Sequence, residues 1–143
     1  MSVVYVVGSL RNPQIPVIAN QLRERLPGVE IFDSWYSAGP NADDHLWEYE
    51  QQRGHNVAQA LANYSAKHIF AFDRFHIDRA DTVVVAMPAG KSAMLELGYA
   101  IGKGKRGYIL MDKDPDRLDV MMQFATGIHY SLDDLVNELK GNV

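Results

Sequence analysis

The chain has 143 residues, of which 47% are hydrophobic, and a formal net charge of −4. That length fits one globular domain over residues 1–143 with a full core, and the negative charge speaks against a nucleic-acid partner. The lack of cysteine excludes disulfides, thiolate chemistry and cysteine–zinc sites.

Val3 to Val7 is a continuous apolar run, the mark of a strand buried on both faces. It follows the N-terminus without a basic region, a long apolar run or a small-residue cleavage site. No apolar stretch reaches membrane-spanning length, so a cytoplasmic protein with no membrane partner is expected. The Asn63-Tyr64-Ser65 sequon is discounted for the same reason.

After the turn Gly8 to Pro13, Ile18, Leu22 and Leu26 repeat at fours and predict an amphipathic helix closed by Pro27-Gly28. Val29 to Phe32 predicts a second strand. Asp33 to Asp44 predicts a loop, and His45 to Arg79 a long helical region broken near Gly54. Thr82 to Met87 predicts the third strand, Lys91 to Gly102 a helix, and Arg106 to Met111 the fourth strand. A short helix at Asp116–Phe124, a fifth strand at Ile128–Tyr130 and a closing helix at Leu132–Leu139 complete the chain. Alternating strands and helices on short turns imply an α/β fold, flavodoxin-like or Rossmann-like, with a parallel five-stranded sheet. The expected order is 2-1-3-4-5, with a ligand crevice between the first and third strands.

That order brings Gly8-Ser9-Leu10-Arg11, the loop after the second strand and Pro88 to Glu96 to one crevice. Gly8 and Ser9 allow close backbone approach, and Arg11 suits a phosphate or sugar hydroxyl; an ordinary turn with a solvated Arg11 is the alternative. Glu96 falls in the first turn or so of the helix after the third strand. It is either a nucleophile or base facing the crevice or a carboxylate that favours the positive helix end. Gly90-Lys91-Ser92 imitates the end of a P-loop, but the glycine needed five residues earlier is Val85, inside the strand. No GxGxxG motif is present either, and the scattered histidines offer no tight metal-ligand pair, so neither a metal nor another cofactor is expected.

Tyr5-Val6-Val7-Gly8-Ser9-Leu10-Arg11, Asp73 eight residues before Asp81, and Leu95-Glu96-Leu97-Gly98-Tyr99-Ala100 followed by Gly104-Lys105 resemble the nucleoside 2-deoxyribosyltransferase family, which includes the 2'-deoxynucleoside 5'-phosphate N-hydrolases. The resemblance covers roughly Val3 to Met111. It implies cleavage of the N-glycosidic bond of a 2'-deoxynucleoside or its 5'-monophosphate through a glutamate-bound deoxyribosyl intermediate, with the sugar passed to a base or to water. Glu96 matches the family nucleophile, Tyr5 the tyrosine that orients it, and Asp73 an aspartate that contacts the substrate and helps protonate the leaving base. Gly8 to Arg11 match the loop around the sugar 5' end. The resemblance also implies a homodimer or higher homo-oligomer, because in the hydrolases a neighbouring subunit's short helix supplies a serine to the phosphate.

Two positions depart from the pattern. Gly90 stands where the transferases have aspartate and the hydrolases serine, with Ser92 two residues on, and Asp119 is the nearest match to the neighbour's serine. Trp35, Tyr36 and Trp47 are either base-stacking groups or a loop-packing cluster, and His76 is either a contact of the base or Asp73 or a surface histidine. An NAD(P)-type glycohydrolase and a non-catalytic nucleotide-binding module on the same fold are the alternatives to a deoxyribosyl enzyme.

Overall fold

Five strands of mostly aliphatic residues form the centre of the computed structural model, which describes residues 2–142. They are β1 (Val3–Val7), β2 (Glu30–Phe32), β3 (Thr82–Ala86), β4 (Arg106–Leu110) and β5 (Gly127–His129). Every neighbouring pair is parallel and the order is β2-β1-β3-β4-β5. β1 and β3 are buried at every position, which is why they read as unbroken apolar runs rather than alternating ones.

Strand alternation divides the core between the two faces. Val4, Val6, Val84, Tyr108 and Leu110 pack with Ala19 and Leu22 of α1 (Gln14–Arg25) and with Leu135, Val136 and Leu139 of α6 (Leu132–Asn142). On the other face Tyr5, Val7, Val83, Val85 and Ile109 pack with Ala93, Leu97 and Ala100 of α5 (Lys91–Gly102) and with Ile77 of α4 (Tyr64–Arg79).

The helical region after β2 is an excursion of several pieces. A 3-10 turn, Ser34–Ala38, leads into α2 (Ala42–Gln52), α3 (Val57–Leu61) and α4. The expected break falls at Gly54, whose φ of 75° is open to glycine at little cost. A second break at Ala62–Asn63 was not legible as a boundary. Asn56 and Asn63 restart the chain as helix caps, each side chain accepting a backbone N–H of the helix that follows.

Three expectations need correction. The helix expected over Asp116–Phe124 is only a 3-10 turn at Val120–Phe124. The Asp119 side chain accepts the Met121 N–H at 2.9 Å and starts the turn there. The fifth strand lies one residue earlier than expected, at Gly127–His129. Glu96 sits in the second turn of α5, not the first, because the helix begins at Lys91.

Candidate active site

Tyr5 is where the site and the core meet. It lies in the middle of β1, in register with Val83 of β3 and Phe32 of β2, and is almost fully buried. Its ring stacks on Phe32 with 5.1 Å between centroids. From this anchored ring the hydroxyl faces two carboxyls that hang over the same sheet face, Glu96 from α5 and Asp73 from α4. The two helices place one acid each above one strand, because both lie on the face that Tyr5 shares with Val83 and Val85.

The electrostatics of this group are those of acids crowded in a poorly hydrated place. Burial pushes Glu96 up to about 7, and the charge of Asp73 adds to the rise. The Tyr5 hydroxyl opposes it by hydrogen bonding to the ionised form. Asp73 is itself raised, first by burial and then by Asp43 from the first turn of α2. Burial and both acids hold the Tyr5 phenol far above its ordinary range, so it stays a neutral donor. Since the influence of a helix dipole fades beyond the first turn, an acid in the second turn with a raised pKa is not there to stabilise the helix end. Two interacting carboxyls that ionise one after the other can divide the roles of nucleophile and proton donor.

The expected rim residues lie at the carboxyl ends of β1 and β3. Asn12, nearly fully buried, ties the two loops together by donating to the Ala86 carbonyl at 3.5 Å, while its own oxygen accepts the Gln14 N–H. Gly8 is required by this closeness: a Cβ there would sit 2.6 Å from Ile15 Cδ1 and 3.0 Å from the Ala86 oxygen. The Ser9 hydroxyl accepts the Arg11 N–H at 3.1 Å, and Leu10 is half-buried. Gly90 and Ser92 are exposed at the start of α5, where Gly90 is the cap residue and offers no side chain to the first-turn amides.

Other residues take positions the sequence did not disclose. The Trp35 indole N–H donates to the Val6 carbonyl at 2.7 Å, and its ring packs against the cluster that holds Tyr5 and Phe32. His76 lies flat on Phe32 at 3.9 Å, is edged by Phe72 and Phe75, and accepts from Arg79 Nε at 2.8 Å. Burial and Arg79 lower its pKa, so it is a neutral packed ring. Asp81 accepts the Val3 N–H at 2.8 Å and so clamps the start of β1.

Two residues near the crevice were missed. Asp44 holds Arg11 in an ion pair of 2.5 Å across the mouth, and its neighbour Asp43 is felt by Asp73. The acidic pair after Asn41-Ala42 was visible but reads as ordinary helix-start composition. Among the described residues no cluster of three His, Asp or Glu could hold a metal ion, and no helix is long and apolar enough to cross a membrane.

No family model matches the sequence, and neither does any curated protein. The fold is shared with a solved structure, the CMP N-glycosidase BcmB of Clostridium botulinum. It superimposes with a TM-score of 0.55 at 13% identity, over 97% of this chain and 99% of that one.

Proposed function

We propose that this chain cleaves the N-glycosidic bond of a 2'-deoxynucleoside or its 5'-monophosphate, with Glu96 as nucleophile. The observation that carries this reading is the trio of Glu96, Tyr5 and Asp73, two interacting carboxyls raised by burial around one neutral phenol. In the first step a Glu96 oxygen bonds to the anomeric carbon as the bond from that carbon to the base nitrogen breaks. Asp73 gives its proton to the departing base. In the second step water or an acceptor base attacks the same carbon, the ester to Glu96 breaks, and Asp73 takes the proton released by the attacker. Retaining glycosidases divide the work of two carboxyls in this way. The positive charge that grows on the sugar ring favours the ionised form of Glu96, and so draws it away from the protonated state that burial favours.

A likeness in fold to a CMP N-glycosidase supports a second reading with ribose in place of deoxyribose. Chromatography of ribo- and deoxyribonucleosides and their 5'-monophosphates, incubated with and without a free acceptor base, decides between them. Base released from the deoxy compounds supports the first reading and base released from the ribo compounds the second. Exchange of one base for another marks transfer over hydrolysis. No release from any of them overturns both readings.

A further inference from the structure

At the mouth of the crevice Arg11 meets Asp44 at 2.5 Å, and both side chains are about two-thirds exposed, at 66% and 64%. Arg11 is the cation of the β1 loop, whereas α2 brings two anions to the same side, Asp43 and Asp44. A doubly charged phosphate entering here finds its guanidinium already occupied and a further carboxylate beside it. Exposed ion pairs are weak and easily exchanged, while a guanidinium fork binds phosphate oxygens in preference to a single carboxylate oxygen. Asp44 and a phosphate are therefore rivals for one group, and neither excludes the other outright.

We propose that Asp44 is a specificity-determining residue: by occupying Arg11 it sets how strongly the site prefers a 5'-phosphorylated substrate over the free nucleoside. This rests on the nucleotide-cleaving function proposed above. A free 5' hydroxyl has no need of the guanidinium and leaves the ion pair in place. A 5'-phosphate must break it and take over Arg11, so its affinity is lowered by whatever the pair is worth. The adjacent Asp43 remains to repel it, which keeps the preference graded.

Calorimetry separates this from the catalytic reading, because binding needs no turnover. Cytidine and cytidine 5'-monophosphate, with their deoxy counterparts, are titrated into Glu96→Gln protein, which cannot release the base, and into the same protein carrying Asp44→Asn or Asp44→Asn/Arg11→Ala, and thermal melts check that each is folded. Asp44→Asn should raise the ratio of monophosphate to nucleoside affinity by about 1.5- to 5-fold, the equivalent of one exposed ion pair. The double variant should lose that gain. An unchanged ratio, equal changes for both ligands, a gain that survives loss of Arg11, or no binding of either ligand would overturn the proposal. Base release by the wild type, measured in parallel, reports on the catalytic reading alone, so failure of one is told apart from failure of the other.

Discussion

Glu96 combines chemical usefulness with an energetic burden. Its carboxyl is raised from 4.5 to about 7, so the folded state holds a proton over a range where the unfolded chain has lost it. For an acid raised in this way, the favourable contribution is full below pH 4.5 and is lost as pH rises towards 7. The whole difference between the two limits is about 3 kcal/mol, from 1.36 kcal/mol for each pH unit of displacement, and above pH 7 it stands as the cost of the buried charge. Glu96→Gln should therefore raise Tm at pH 8 and change it little at pH 4, while base release falls by at least about a hundredfold because an amide cannot form the ester. Melts at the two pH values beside a base-release assay test both halves. A Glu96→Gln protein that melts lower at pH 8 would contradict the assigned environment.

In the wild type, kcat/KM for an uncharged nucleoside should be bell-shaped, rising as the first of the two carboxyls ionises and falling above about 7 as the pair loses its second proton, since attack needs one carboxylate and the departing base needs one acid. Tyr5→Phe removes the donor that favours ionisation. It should lower kcat roughly 10- to 100-fold at neutral pH and move the rising limb to higher pH, a shift that a packing role would not produce. Asp73→Asn should penalise poor leaving bases more than good ones, because it withholds a proton. Equal losses for both would reduce Asp73 to a contact with the sugar.

At the level of elements, the excursion between β2 and β3 depends on one buried group. Glu50, at the end of α2, is fully buried; its Oε1 and Oε2 accept from Asn63 Nδ2 at 2.9 Å and 3.2 Å, and His55 Nδ1 lies 2.6 Å from the same Oε2. The hydrogen bond with His55, and then that with Asn63, holds its pKa below the usual range against the effect of burial. The same Asn63 side chain caps α4, so the sequon asparagine is engaged twice within the fold. A carboxyl lowered in this way stabilises the fold above its ordinary pKa, and the contribution is lost as the pH falls through the lowered value. Glu50→Ala should leave Asn63 and His55 without their acceptor and lower Tm at pH 7 by roughly 5 °C or more. Glu48→Ala, on the exposed side of α2, should do far less. Hydrogen exchange should show the loss of protection concentrated between Arg53 and Tyr64, with the sheet unaffected. Because α2 also carries Asp43 and Asp44, the Glu50 contacts position the acids at the mouth of the crevice as well.

Across the whole molecule, the sheet was legible because β1 and β3 consist of residues that suit no other setting, and because every strand but β4 is followed by a turn and an α-helical segment. Glu96 was legible for the same reason: strand, turn and helix in sequence mark the carboxyl edge of a sheet. Its depth was not, since one turn of helix decides whether a carboxylate is held at a dipole or buried over Tyr5. The pairings of Arg11 with Asp44 and of Glu50 with Asn63 depend on how an irregular excursion folds back, and no local pattern encodes that. The Asp116–Phe124 helix failed because the Asp119 side chain starts the turn at Val120 and Ala125 is already extended, which leaves five residues in a 3-10 turn. We propose that its exposed Leu118, Met121 and Phe124, beside a cavity of about 500 Å³ lined by Met111, Val120 and Tyr130, belong to a contact between copies of the chain. Light scattering should then give at least a dimer at micromolar concentration, and Phe124→Asp should shift it towards the monomer. A monomeric wild type would refute this.

The hydrogen bond from Trp35 to the Val6 carbonyl also gives the crevice a natural optical probe. The chain has two tryptophans; Trp47 is exposed on α2, and Trp35 is fixed beside the strand that carries Tyr5. In a Trp47→Phe protein excited where tyrosine does not absorb, the whole emission would come from Trp35. A nucleobase settling into the crevice would quench or shift that light, so occupancy could be followed in real time without a label.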